Sequence, residues 1–329
     1  MASALLLSLV LFVSTVHGLK NSALVFIKPH ASTEVVSAFV KEHLTAAGMS
    51  IVDTGVKTAA EIDSQKLIDQ HYGSLARLAM EVKPSEFTPT PAAQDAFASA
   101  YGTTWSDALG SMMTNPEALA SLGVDGLALE SMWRGGQDVK LAPGTYIARL
   151  EREGDPIYTI NGFYPAMRQA FVEPGATVRY LVCEWEEEAL PWESFRRDVI
   201  GATNPSAATA GSCRALLLSK WQELGLPAEP SMAKNGVHAS AGPLEGLKER
   251  AVWCDANVAS DPLAVQLASA GIDAATLGGW LADNPAVTLG GVTDKVFDLT
   301  EEMGAEAVVE LVAGSMGGIY AYEATQAIY

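Results

Sequence analysis

Residues Ala23-Leu-Val-Phe-Ile27 form an unbroken apolar run, rich in β-propensity, that stops at Lys28-Pro29. A run this short with no polar face reads as a strand buried in a sheet, and the proline fixes where it ends. Helical spacing follows over residues 32–46, with Val35, Val36, Phe39, Val40 and Leu44 apolar and Gly48 as the stop. Met49 to Val56 returns to strand character, and residues 59–72 return to helix. A β-α-β-α opening of this kind belongs to a compact α/β sandwich.

The chain has 329 residues, enough to bury a substantial core, and at 49% hydrophobic and 18% charged its composition is globular. Its net charge of −18 argues against a nucleic-acid binder, which would concentrate lysine and arginine against phosphates. A small anion can still be held where a few cations converge. Three scattered cysteines (Cys183, Cys213, Cys254), without CxxC or HExxH spacing, support neither a disulfide framework nor a zinc site, and read as small buried hydrophobes.

Residues 4–13 are too short an apolar run to span a bilayer, and Thr15-Val16-His17-Gly18 places small residues where a signal peptidase cuts. Residues 1–18 therefore read as a signal peptide and the destination as the secretory route. The alternatives are an uncleaved apolar N-terminus and a cytoplasmic chain. Residues 74–162, bounded by proline turns, read as a largely helical insertion, and 255–329 as an extension of short helices.

Two constellations carry chemistry. In Asn235-Gly-Val-His238-Ala-Ser240 a small residue follows the histidine and leaves space beside the imidazole. Eleven residues on, Glu249 lies in the next helix, able to accept the imidazole's second N–H and leave one nitrogen as nucleophile. The second constellation is Arg197-Asp-Val-Ile-Gly-Ala-Thr203-Asn-Pro205 with Arg214 beyond it. Two guanidinium forks and a hydroxyl around a Gly/Pro loop suit a polyphosphate. Lys28 is a third cation.

Ile27-Lys28-Pro29, His71-Tyr72, the Arg197–Pro205 run, Gly211-x-x-Arg214 and Asn235-x-x-His238-Ala-Ser240 resemble, in order, the successive motifs of the nucleoside diphosphate kinase family. The resemblance covers residues 22–73 and 163–254. It implies a ferredoxin-like α/β sandwich on a four-stranded antiparallel sheet, formed by 19–73 and 163–254. It further implies ping-pong phosphoryl transfer between nucleoside tri- and diphosphates through phosphorylated His238, with Glu249 and Ser240 supporting the ring. Lys28, Tyr72, Asn235, Arg197, Thr203 and Arg214 would hold sugar and phosphates, Phe163 would lie on the base, and Met167 would line its pocket. Such a site tolerates any base. Mg²⁺ would arrive on the nucleotide phosphates with no protein metal cage, and assembly as a homo-oligomer, hexamer or tetramer, is implied. A silent nucleotide-binding or assembly module is the competing reading. The family's Asp after Lys-Pro is His30 here, and its Asp after the His-Ala-Ser element is Ala241.

Overall fold

The computed structural model describes residues 18–142, 144–152 and 155–326, with side chains as far as Ser315. The expected signal peptide lies outside the described residues apart from Gly18. The strands are β1 (Asn21–Ile27), β2 (Ser50–Thr58), β3 (Asp138–Ala142), β4 (Thr145–Leu150), β5 (Ile157–Ile160), β6 (Thr177–Trp185), β7 (Val237–Ala239), β8 (Ala286–Leu289) and β9 (Val292–Lys295).

Four of them, in the order β2-β6-β1-β7, make one antiparallel sheet. The helices Glu34–Ala46 and Cys213–Ser219 cross between its strands, which is the ferredoxin-like arrangement. β1 lies inside the sheet, and both of its faces are covered. Ala23, Val25 and Ile27 pack with Val36, Val40, Leu44, Phe195 and Leu217. Leu24 and Phe26 pack on the other face with Ile62, Ile68, Phe171 and Trp253. Each such fully buried large side chain contributes about 1.5–3 kcal/mol, so the run that identified β1 also anchors both layers. The first crossing helix begins where Thr33 accepts from Val36 N at 3.2 Å, and the chain leaves it at Gly48 with φ +90°.

Residues 74–162 contain the helices Ser74–Met80, Pro91–Tyr101, Asn115–Leu122 and Gly126–Gly135, and also the antiparallel sheet β3-β4-β5. The expectation of a helical segment misses that sheet, because apolar runs of four to six residues carry too few periods to separate strand from helix. The segment has its own core around Phe97, Trp105, Ile147 and Tyr158. Buried Asn115 joins its two ends, donating to Ala79 O and Ile160 O at 2.9 Å each.

Beyond residue 255, helices Pro262–Ser269, Ala274–Asp283 and Ala305–Gln326 pack on Leu244 and Leu247 of the helix Pro243–Cys254. This extension is not helical throughout. β8 and β9 form a hairpin around Gly290 and Gly291, whose φ values of +58° and +81° only glycine adopts freely. Among the described residues no helix is long and apolar enough to cross a membrane.

Candidate active site

β7 carries His238 opposite Phe26 of β1, and the two rings stack at 4.6 Å between centroids. The helix Pro243–Cys254 turns back under this strand and brings Glu249 to it. His238 Nε2 lies 2.6 Å from Glu249 Oε1, while Ser240 Oγ donates to Glu249 Oε2 at 2.6 Å and accepts from Leu24 N at 2.9 Å. The carboxylate is only 1% exposed, and burial pushes its pKa up; His71, the Ser240 hydrogen bond, Lys248 and Arg250 act against that. A carboxylate can only accept, so with Glu249 ionised the hydrogen sits on His238 Nε2 and the lone pair on Nδ1.

Burial lowers the pKa of His238 to about 3, opposed by Glu245 and reinforced by Lys28, Arg214 and Arg196. The ring is therefore neutral across the ordinary pH range, yet 22% of the side chain still reaches solvent. A neutral imidazole with one nitrogen tied and one free is the nucleophilic form.

Two neighbours escape the sequence reading as site residues. His71 meets the His238 ring edge-on at 4.6 Å, with Nδ1 3.4 Å from Glu249 Oε1 and the same distance from the donor Nε1 of Trp253. Burial lowers its pKa to about 3 as well. Glu245, one turn before Glu249, accepts from Ala241 N at 2.6 Å; burial and then Glu249 raise its pKa to about 7. The spacing of four residues on one helix was the available signal for Glu245. For His71 it was the side chain's place beside Tyr72 in the same motif.

The ligand atoms of His71, His238 and Glu249 lie within 4.8 Å of one another. Two imidazoles and one carboxylate suit zinc-like ions and not Mg²⁺, which takes oxygen ligands. The hydrogen bonds from Trp253 and Ser240 already engage two of the three groups.

Lys28 and His30 stitch the approach to His238. Lys28 N donates to Gly236 O at 2.9 Å, and His30 Nε2 accepts from Gly236 N at 3.1 Å. Burial, then Lys28 and Lys234, hold His30 at about 4, so it is a neutral acceptor where the family pattern has a carboxylate. Burial and the charge of Arg214 lower Lys28 to about 8.

Arg214 donates to Gly201 O at 2.7 Å and to Val237 O at 3.0 Å, tying the 201–212 loop to β7. Asn235 Nδ2 donates to Thr203 O at 3.0 Å, while the Thr203 side chain faces out. Among the described residues, Arg214 Nε, Asn235 Oδ1 and Ser212 Oγ are buried around this loop without a partner, so polar atoms here remain to be met.

Arg197 does not join them. Its guanidinium is 56% exposed and pairs with Glu193 and Asp198 at 2.8 Å each. Arg196 is the one whose charge reaches both His238 and Glu245. The cause is local: Phe195–Ile200 is a π-helical turn, and its wider winding rotates successive side chains away from the α-helical register.

Lys28, Tyr72, Phe163 and Met167 line one cavity of about 680 Å³, a size that suits a nucleotide-scale ligand. Leu127, Glu130 and Arg134 of the 74–162 segment line it too. The segment therefore borders this cavity and does not fill it. Burial, then Glu249 and Glu245, raise the Tyr72 phenol to about 12, which keeps it protonated.

No protein-family model matches the chain, and no curated sequence does. Among solved structures it is similar to nucleoside diphosphate kinase from Encephalitozoon cuniculi, with 14% identity and a TM-score of 0.33 over 71% of this chain and 88% of that one. It is similar to an NDP kinase from Pyrobaculum aerophilum, at 16% and 0.35 over 71% and 95%. A nucleoside diphosphate kinase family protein from Babesia bovis gives 12% and 0.33 over 71% and 87%. At such identities and TM-scores the likeness says nothing about activity, and the chemical case rests on the side chains above.

Proposed function

We propose that the chain moves the terminal phosphoryl group of a nucleoside triphosphate to a nucleoside diphosphate through Nδ1 of His238. The observation that carries this reading is the 2.6 Å contact of Nε2 with buried Glu249, which ties one nitrogen and leaves the other nucleophilic beside Lys28, Arg214 and Arg196. The Nδ1 lone pair forms the N–P bond as the bond from γ-phosphorus to its bridging oxygen breaks. Those electrons leave on the diphosphate. Glu249 stabilises the positive charge that grows on the ring, Ser240 holds Glu249, and the cations meet the equatorial oxygens. A second diphosphate reverses the step. Mg²⁺ enters as part of the nucleotide substrate. Phe163 and Met167 take the base, and Lys28 joins the cavity to His238.

The test is incubation with ATP labelled on its γ-phosphate. Label that survives alkali, is lost in acid and is absent from His238→Ala supports the reading. A chain that takes up no label sinks it and leaves the silent module. That second reading draws on one observation, the pairing of Arg196 with Glu301 and Glu302, which offsets a cation the transfer needs.

A further inference from the structure

The helix Gly126–Gly135 belongs to the inserted segment, yet it is fixed against the helix Tyr164–Val172 that carries Met167. A β-carbon at Gly126 would stand 2.8 Å from the backbone carbon of Pro165 and 2.9 Å from Ala166 N, so only glycine permits this approach. Near its C-terminal end Trp133 donates to Thr159 O at 3.3 Å, meets the Phe163 ring edge-on at 5.5 Å, and covers Gly162 so closely that a β-carbon there would collide with its indole. The inserted helix is thus a rigid wall of the 680 Å³ cavity and not a loose cover.

This wall presents Glu130 and Arg134. Arg134 Nε and Nη2 both lie 2.7 Å from Glu130 Oε1, an arrangement that leaves Nη1 of the guanidinium and Oε2 of the carboxylate unengaged among the described residues. The Arg134 side chain is 62% exposed and Glu130 27%, so both can meet a ligand in the cavity they line.

Building on the nucleotide reading above, we propose that Glu130 and Arg134 read the edge of the base and give the site a preference for guanine nucleotides. Guanine offers O6 and N7 as acceptors to a guanidinium and N–H groups as donors to a carboxylate. Adenine offers a single exocyclic donor, and a pyrimidine has a shorter edge. The pair therefore matches guanine with both members, where a pocket that only stacks on the base would accept all four.

The experiment measures equilibrium binding of GDP, ADP and UDP to the full chain and to Arg134→Ala and Arg134→Lys. The expected result is GDP bound about tenfold tighter than ADP or UDP, with that advantage gone in Arg134→Ala and mostly gone in Arg134→Lys, which keeps the charge but not the fork. Equal affinities in the unmodified chain, or a GDP advantage that survives Arg134→Ala, overturns the proposal. Phosphohistidine formation without base preference sinks this inference alone, whereas failure to bind any nucleotide sinks the phosphotransfer reading with it.

Discussion

Arg196 reaches out of the π-helical turn to Glu302, 3.2 Å away in the segment beyond residue 255. Glu302 takes a left-handed backbone (φ +61°) and donates its N–H to Ala241 O at 3.0 Å, so the acidic turn is pinned beside the strand that holds His238. The contact sets Arg196, and not Arg197, among the groups around His238. Arg196→Ala should lower kcat/KM for phosphoryl transfer by about a hundredfold, the scale of losing one donor to a transferring group. Arg197→Ala should change it less than twofold, since its partners are exposed neighbours. Steady-state kinetics on the two variants check this; the reverse order would return the role to Arg197.

In the proposed transfer the same acidic turn would compete with nucleotide phosphates for Arg196. Replacing both carboxylates, Glu301→Gln with Glu302→Gln, should lower KM by up to about fivefold, the range of a partly exposed ion pair. An unchanged KM in initial-rate assays would mean that nucleotide phosphates never displace the pair.

Lys28 titrates near 8 because burial and Arg214 disfavour its charge. It loses its proton as pH rises through that value, and the site then loses a cation. Log kcat/KM should fall with rising pH above about 8, since this parameter reports the free enzyme. His238, neutral down to about 3, adds no limb near 6.5. Lys28→Arg should hold the plateau to higher pH, and a pH–rate profile of the two proteins decides.

Glu245 has a raised pKa of about 7 in the folded chain against 4.5 for an ordinary carboxyl. Between these values the folded state binds the extra proton, so stability from this group is present below pH 4.5 and lost as pH rises toward 7. Glu245→Gln keeps an acceptor for Ala241 N and removes that loss. The variant should be more stable than the unmodified chain by about 3 kcal/mol at pH 8 and equal to it at pH 4. Denaturant midpoints at the two values measure the difference; equal gains at both would sink the assignment.

Asn115 fastens both ends of the inserted segment through two buried carbonyls. Asn115→Ala leaves Ala79 O and Ile160 O unpaired, at a cost of about 1–3 kcal/mol. A lowered melting temperature, with faster amide exchange at residues 79–80 and 160–161, is the expected readout.

How much of this the sequence discloses depends on the reach of each interaction. β1 is legible because Ala23–Ile27 are all apolar, and burial on both faces is what an unbroken apolar run means. His238 and Glu249 are legible because strand and helix follow directly on one another. Arg196 is not, since a π turn adds its residue through hydrogen-bond register and leaves no trace in composition. His30 reads as a departure from a pattern; only the distance to Gly236 N shows it as a substitute acceptor. Strands β3 to β5 are hidden because they are short and their pairing is set by partners in the chain's own middle.

The bare α-carbon at Gly126 has a geometric corollary for the cavity. Wherever two helices touch through backbone, their separation is the least the chain can achieve, and every substitution can only widen it. The spacing of these two helices at Gly126 is thus already at its narrowest setting. Sequence drift elsewhere in the inserted segment can alter what the wall presents, but a change at this one carbon alters how far the wall stands from its neighbour.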